Sequence, residues 1–274
     1  MIAFVYKKID LGYEDLPFYP SKHNFSRHVH NSWEFYFLKT GNVSYTIESG
    51  DYTVIPNDML IIPPRHYHMF RKNESDRYGR FTLNFYENMF PPFITDILKK
   101  LNRHYRIPRN GNINVYFNNL IKYNELLSKD EMYFFVKNCI ELTILDLYYN
   151  EENRVITGND KDDFFTDVVN FINDNISKPI SVEDICNRFF VSKSLVFHKF
   201  KSKFNISIIQ YVNLRKILYA QNLIFSGTPA MEACFRVGFQ DYSSFYRQYK
   251  KFLKTTPEQD KKLATNNSNN DQKT

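Results

Sequence analysis

Apolar and polar residues alternate in the first third of the chain, and this spacing predicts β-strands. The alternation is clearest in Val43–Ile47, and an apolar run at Met59–Ile62 stops at two prolines. Gly41 and Gly50 lie between such runs as turn signals at hairpin spacing. Several short strands in series between residues 27 and 85 predict a sandwich or a barrel.

Beyond residue 87 the apolar residues recur every three or four positions, which predicts helices. The longest helical segment is Glu131–Tyr149, and its apolar residues cover more than one face. A helix of this kind packs on the barrel and also on something beyond it, so the pattern predicts a homodimer. Residues 151–162 have the polar composition of a linker, and Phe164–Ile176 is again helical.

Two related segments near the C-terminus each predict a short helix, a tight turn and a second, basic helix. They are Ser181–Lys201 and Ala230–Lys250. Ser181 is a predicted N-cap, and Ser192 and Asp241 are predicted to cap the two basic helices. A helix-turn-helix motif of this kind places its second helix in the major groove of DNA.

The two basic helices share both a buried and an exposed pattern. Val196, Phe200 and Phe204 are spaced four apart and predict a buried face, as do Phe245 and Tyr249. The outward residues match at a constant offset of 49 positions: Ser194 with Ser243, Phe197 with Tyr246, His198 with Arg247, and Lys201 with Lys250. The repeat predicts two equivalent DNA-reading helices in one chain.

The charge distribution supports this interpretation. Residues 161–274 carry 17 Lys and Arg against 11 Asp and Glu, whereas residues 1–160 carry 19 of each. A basic C-terminal part joined to a neutral N-terminal part is typical of a protein that contacts phosphate through one domain only. At 274 residues and 43% hydrophobic content, the chain can form two folded domains.

The sequence also limits the location of the protein. It has neither the basic start and apolar core of a signal peptide nor an uncharged stretch of about 20 residues that could span a bilayer. The three cysteines, Cys139, Cys186 and Cys234, are scattered at apolar positions, which is typical of reduced thiols. We therefore expect a cytoplasmic protein without a membrane partner.

The C-terminal hundred residues resemble transcription regulators of the AraC/XylS type. The resemblance is carried by Val237–Lys251, which is followed by Thr256-Pro257. It implies an α+β protein with an N-terminal cupin-like β-barrel and packing helices. The C-terminal all-α domain would hold two helix-turn-helix motifs joined by a long helix, Ile208–Phe225. The expected boundaries are a sensing and dimerisation domain at 1–150, a linker at 151–162, a DNA-binding domain at 163–260 and a flexible tail at 261–274.

The resemblance also implies which residues bind double-stranded DNA. Arg247 can donate two hydrogen bonds to a guanine edge, and the lysines suit phosphate. The expected DNA-binding residues are Lys193, Ser194, Phe197, His198, Lys201, Arg215, Tyr242, Ser243, Tyr246, Arg247 and Lys250. RNA polymerase is an expected partner, with activation as the expected mode of control.

Several positions depart from the pattern of this family. Phe190 stands where the first motif usually has a turn glycine, whereas the second motif keeps Gly238. A bulky residue is unfavourable in the left-handed conformation that such a turn often needs, so that turn either differs or is strained. Asn205 and Lys254 also replace expected glycines, and Gln259-Asp260 replace a closing Tyr-Arg pair.

The N-terminal region resembles the two cupin motifs in the spacing of its polar residues. By that resemblance His28, His30, Glu34 and His68 form a possible transition-metal quartet, because three imidazoles and a carboxylate suit such an ion. The alternative is a metal-free pocket for a sugar-like or other polar small-molecule effector. The expected effector-binding residues are His28, His30, Trp33, Glu34, Tyr36, Arg65 and His68.

Three functional interpretations follow from the sequence. The first is an effector-controlled transcription regulator without enzymatic activity or an obligatory cofactor. The second is a ligand-independent activator whose barrel serves only for dimerisation. The third, from a different class, is a metal-dependent cupin enzyme with a DNA-binding tail.

Overall fold

The computed structural model describes residues 1–16, 29–48, 50–72, 77–155, 163–178, 180–204 and 206–262. These residues belong to two compact units, Met1–Lys161 and Asp162–Thr274. The division falls within the polar segment that the sequence predicts as a linker. Among the described residues, no helix is both long and apolar enough to cross a bilayer.

The N-terminal unit contains two antiparallel sheets. Its strands are β1 (Ile2–Tyr6), β2 (Ile9–Leu16), β3 (Trp33–Thr40), β4 (Val43–Ile47), β5 (Gly50–Val54), β6 (Asp58–Ile62), β7 (His68–Lys72), β8 (Tyr78–Phe85) and β9 (His104–Arg106). The larger sheet has the order β1-β2-β8-β3-β6-β9, and the smaller one has the order β5-β4-β7. The short strands predicted from the alternation are therefore confirmed, and they form two antiparallel sheets, within the predicted choice of a sandwich or a barrel.

Strand alternation gives the larger sheet two buried faces. One face shares a core with the smaller sheet, in which Tyr36, Tyr45 and Phe70 are buried. The other face, which includes Phe35 and Phe37, packs against helices. Burial on both faces explains why β3 and β6 are nearly continuous apolar runs in the sequence.

The helices of this unit follow the strands. They are α1 (Pro92–Lys100), α2 (Asn112–Tyr123) and α3 (Lys129–Tyr149). Ser128 begins α3 through a capping box with Glu131. Val136, Ile140 and Ile144 of α3 are fully buried in the core beneath the larger sheet. Helices are therefore present beyond residue 87 as predicted, and α3 begins two residues before the predicted Glu131 and ends at Tyr149.

The C-terminal unit is helical among its described residues. It contains α4 (Asp163–Asp174), α5 (Val182–Phe189), α6 (Lys193–Phe204), α7 (Ile208–Phe225), α8 (Ala230–Arg236) and α9 (Tyr242–Leu253). Helix α7 packs against α6 and also against α8 and α9, so it braces both helix-turn-helix motifs. The α+β class and the long joining helix expected from the resemblance are confirmed.

The structure corrects the sequence analysis at two places. Strands β1, β2 and β9 lie where no strand was predicted. Residues 151–155, predicted as the start of the linker, are attached to the N-terminal unit. Arg154 forms a β-bridge with Tyr105, and the amide of Val155 donates to the carbonyl of His104 at 3.1 Å. Most of the predicted tail, 263–274, lies outside the described residues.

Candidate functional site

Helix α6 is fixed at its start by a side-chain cap and along its length by a buried aromatic stripe. The amide of Leu195 donates to Oγ of Ser192 at 3.2 Å. Val196, Phe200 and Phe204 are completely buried, as their spacing predicts. Because this stripe fixes the rotation of the helix, the opposite face, with Ser194 and its neighbours, is turned to solvent.

Helix α9 is built in the same way. The amide of Ser244 donates to Oδ1 of Asp241 at 2.7 Å, and Phe245 and Tyr249 are completely buried. The pKa of Asp241 is lowered because its carboxylate accepts hydrogen bonds from the first turn of the helix. The cap therefore orients α9 as the sequence predicts.

The structure exposes most of the residues that the sequence assigns to DNA. Those exposed on α6 and α9 are Lys193, Ser194, Phe197, His198, Lys201, Ser243, Arg247 and Lys250. Tyr242, Tyr246 and, on α7, Arg215 are half-buried. The matched positions of the two helices are thus presented on surfaces of the same C-terminal unit.

Several of these side chains have partners within the protein. Lys193 forms an ion pair with Glu183 of α5. The hydroxyl of Tyr242 donates to Oε1 of Glu258 at 2.8 Å, and burial together with this bond raises the pKa of Tyr242. Arg247 donates to Oγ of Ser244 at 3.1 Å, one turn back on its own helix.

The turns of the two motifs have the same backbone geometry. Phe190 and Gly238 both adopt the left-handed conformation, with φ values of 53° and 76°. In both turns the next amide reaches back to a cysteine carbonyl, at 3.1 Å to Cys186 and at 3.2 Å to Cys234. Phe190 therefore does not change the turn but adopts the conformation of the glycine that it replaces.

A second cluster of chemically active groups lies in the N-terminal unit. Nε2 of His30 is 2.9 Å from Oε2 of Glu34, and Nε2 of His68 is 3.3 Å from the same oxygen. Glu34 and His68 are buried, and His30 is half-buried. Burial opposes ionisation of Glu34, but hydrogen bonding to both histidines outweighs it and holds the pKa of Glu34 well below its usual range.

Further aromatic and cationic side chains lie next to this cluster, in the core between the two sheets. The hydroxyls of Tyr36 and Tyr78 are 2.9 Å apart, and Arg80 donates to Tyr78 at 2.8 Å. Tyr45 stacks on the ring of His68, with centroids 6.1 Å apart. The interior of this unit is therefore polar at several points although it is closely packed.

The predicted effector residues are distributed unevenly around this interior. Tyr36 belongs to the core between the sheets, next to the cluster. Trp33 does not, because it precedes Glu34 on β3 and side chains alternate along a strand. Its ring is buried on the helix side of the sheet, where Nε1 donates to Glu87. Arg65 is exposed, and His28 lies outside the described residues.

Tyr78 and Arg80 are not among the residues predicted from the sequence. Both lie on β8, where the alternation of Tyr78, Arg80 and Thr82 places them on one face of the strand. That alternation was present in the sequence, but the partner of β8 that brings these residues next to Tyr36 is β3, some 40 positions away.

Comparison with known proteins agrees with the two-part architecture. Residues 18–122 match the family model of an AraC-like ligand-binding domain, and residues 185–262 match that of a helix-turn-helix domain. The chain is 24% identical to the uncharacterised HTH-type transcriptional regulator YdiP of Escherichia coli K12. That match covers 90% of this chain and 82% of the relative.

Other relatives match a shorter part of the chain. An uncharacterised response regulatory protein of Staphylococcus epidermidis is 30% identical over 106 residues, and the chain spans 42% of that relative's length. Among solved structures, ToxT of Vibrio cholerae O395 is similar over 94% of this chain and 97% of its own. The identity is 12% and the TM-score is 0.42.

Proposed function

Because the chain belongs to the AraC/XylS type of transcription regulators, we propose that it reads one DNA site with two helices, α6 and α9. The observation that carries this proposal is the match of exposed residues at an offset of 49, on two helices that α7 braces. Each helix would enter the major groove with its N-terminal residues towards the bases.

The exposed residues divide by chemistry into two roles. Arg247 can form a bidentate pair with guanine, and Ser243 can bond to a base or a phosphate. Lys201 and Lys250, farther along their helices, suit phosphate, where they would add affinity without sequence preference. In α6 the equivalent of Arg247 is His198, and Phe197 offers apolar contact to a thymine methyl.

The N-terminal unit is proposed to bind a small polar effector that controls DNA binding. The buried side chains of Tyr36 and Tyr78 and the half-buried side chain of Arg80, near Glu34 and His68, supply hydrogen-bonding groups that would suit a sugar-like or similarly polar compound. Control requires that the effector bind two arrangements of the protein with different affinity.

The protein is further proposed to act as a homodimer that recruits RNA polymerase as an activator. Helix α3 exposes Phe134, Leu142 and Tyr149 in addition to its buried face. Exposed apolar side chains on the helix whose other face forms the core are typical of a subunit interface. The RNA polymerase contact is carried over from the family.

The DNA-reading proposal is tested by comparing Arg247→Ala with Lys201→Ala. Bound sequences are first selected from random DNA, and affinities are then measured against salt concentration. We expect Arg247→Ala to cost about 1–3 kcal/mol and to relax preference at one base position. Lys201→Ala should weaken all sequences alike and reduce the salt slope by about one.

Arg236→Ala serves as the matched control, because it removes one exposed charge from α8, outside the two reading helices. Equal and sequence-independent losses from Arg247→Ala and Lys201→Ala would contradict the assignment of base and phosphate contacts.

A further inference from the structure

A cleft of about 310 Å³ lies in the C-terminal unit, between the start of α5 and the first half of α7. Most of its lining residues are isoleucine and valine. Ile185, Ile208 and Val212 are buried and form its inner part, whereas Ile209 is exposed at its rim. The volume is at the lower end of the range for small-molecule sites, about 300–1,000 Å³. None of the residues expected to contact DNA lines this cleft.

Lys216 lines the cleft and carries a buried positive charge. Only 7% of the residue is exposed, and burial lowers its pKa. Among the described residues, Nζ has one hydrogen-bond acceptor, the carbonyl of Gly238, at the long distance of 3.5 Å. An ammonium group has three donors, and a buried charge is unfavourable unless it is paired. Lys216 can therefore accept an anionic partner.

The second charged residue of the cleft is Glu183, and it is already paired. It forms an ion pair with Lys193, and this hydrogen bond lowers the pKa of Glu183. The negative charge at the rim is therefore balanced by a lysine outside the cleft. An anion that enters the cleft would meet Lys216 as its uncompensated charge.

Asn213 supplies a polar neighbour for Lys216. It precedes Lys216 by three positions on α7, so the two side chains lie next to each other on the helix surface. The amide group of asparagine can donate to one oxygen of a carboxylate while the ammonium donates to the other. Two donors beside an aliphatic surface are suited to a molecule with one acidic and one apolar end.

We propose that this cleft binds a small organic acid, with its carboxylate at Asn213 and Lys216 and its apolar body against the isoleucine and valine side chains. Because a water molecule in the liquid occupies about 30 Å³, the cleft holds about ten non-hydrogen atoms. The expected ligand is therefore a monocarboxylate with a short aliphatic or alicyclic body.

The cleft touches both helix-turn-helix motifs. Helix α5 belongs to the first motif, and the carbonyl that accepts from Lys216 belongs to Gly238, in the turn of the second. This approach is close, since a Cβ atom added to Gly238 would lie 3.2 Å from Nζ of Lys216. A carboxylate that attracts Nζ would weaken this contact, so we expect bound acid to change the affinity for DNA. That effect rests on the proposed function, whereas binding of the acid does not.

The test is calorimetric titration of the full chain with octanoate and with cyclohexylacetate, two acids of this size but different shape. We expect one molecule of acid per chain. Octanamide has the same size without the charge and should bind at least about tenfold more weakly, because hydrogen bonds to charged groups are the stronger ones. Acetate carries the charge without the apolar body and should show no measurable binding.

Two variants locate the site. Lys216→Met removes the ammonium but keeps an apolar stem, so it should fold and should bind octanoate at least about tenfold more weakly. Ile209→Trp adds bulk at the exposed rim and should also prevent binding. Lys262→Met is the matched control, because it removes an exposed lysine of the same unit that does not line the cleft. Far-UV circular dichroism establishes that each variant is folded.

The outcomes separate this proposal from the one for DNA. Absence of binding by both acids, equal affinity for octanoate and octanamide, or unchanged affinity in either Lys216→Met or Ile209→Trp would overturn the proposed site. The affinity for selected DNA is then measured with and without octanoate. A change that is lost in Lys216→Met supports coupling to DNA binding, and no change in the original protein refutes that coupling while the site itself stands.

Discussion

Phe190 shows how a single residue can disagree with the local structure that it occupies. Its φ of 53° places it in the left-handed region, and 94% of its surface is exposed. The conformation is unfavourable for a residue with a Cβ atom, by roughly 1–2 kcal/mol. The sequence shows that a bulky residue stands where a turn glycine is expected. Only the backbone hydrogen bond to the carbonyl of Cys186 shows that the turn nevertheless keeps its usual conformation.

Replacing this residue should therefore stabilise the C-terminal unit. Phe190→Gly relieves the left-handed strain and loses almost no buried surface, although the flexibility of glycine in the unfolded chain offsets part of the gain. We expect an increase of about 1 kcal/mol in the free energy of unfolding, measured by urea titration with circular dichroism. Phe190→Ala retains the Cβ atom and should change little. If the free energy of unfolding of Phe190→Gly is lower than that of Phe190→Ala, the left-handed conformation of Phe190 does not destabilise the unit.

Trp33 is a second case, because its side chain lies on the face of the sheet opposite to the other predicted effector residues on β3. Its aromatic character suggested an effector contact, yet its position next to Glu34 on one strand puts the two side chains on opposite faces. The parity of the strand was available from the sequence. Which face points to the other sheet was not, since that depends on long-range pairing with β8.

At the scale of elements, local patterns predicted the helices better than the strands. Capping residues and the spacing of apolar positions located α3, α5 and α9 because helices are stabilised by contacts between near neighbours. Strand β2 pairs with β8, about 70 positions away, and β9 has only three residues. No local signal distinguishes such strands from loops.

The C-terminal end of this unit is held by Asp260, one of the two residues that replace the closing pair of the family pattern. Asp260 is buried, and Oδ2 accepts from Gln221 of α7 at 2.6 Å and from Tyr249 of α9 at 2.7 Å. Oδ1 accepts from Thr255 at 3.1 Å. This carboxylate therefore connects the C-terminal helical turn to α7 and α9.

Removing this carboxylate should destabilise the second helix-turn-helix motif. Asp260→Ala leaves Gln221 and Tyr249 as buried donors without their acceptor, so we expect a loss of about 2–3 kcal/mol in the free energy of unfolding. Asp260→Asn keeps one acceptor oxygen and should lose less. Thermal and urea unfolding measure both. Equal losses in the two variants would mean that charge, rather than hydrogen bonding, is what matters.

At the scale of the whole molecule, the net positive charge and the exposed apolar face of α3 belong to different units. The excess of Lys and Arg belongs to residues 161–274, and the exposed apolar side chains of α3 belong to the N-terminal unit. The difference in charge could be predicted from the sequence, because it requires only a count of charged residues in each part of the chain. The exposed face of α3 could be identified only from the structure, since the sequence of α3 shows apolar residues on several faces without indicating which face the core covers.

The proposed dimer makes a prediction at this scale. Leu142→Glu places a charge on the outer face of α3 and should weaken self-association at least about tenfold, as measured by sedimentation. Lys137→Glu changes a partly exposed residue of the same helix and controls for charge on this element. A monomeric original protein, or equal effects of the two variants, would remove α3 from the proposed interface.

Helices α6 and α9 differ in the residues that they would present to DNA, and this difference affects the kind of DNA site that we expect one chain to recognise. His198 and Phe197 stand in α6 where Arg247 and Tyr246 stand in α9, so the two halves of one chain present different chemistry. A single subunit should therefore recognise a non-palindromic stretch and bind it in one orientation only. Reversing that stretch relative to a promoter would turn the bound protein end for end, and we expect the transcriptional response to be lost.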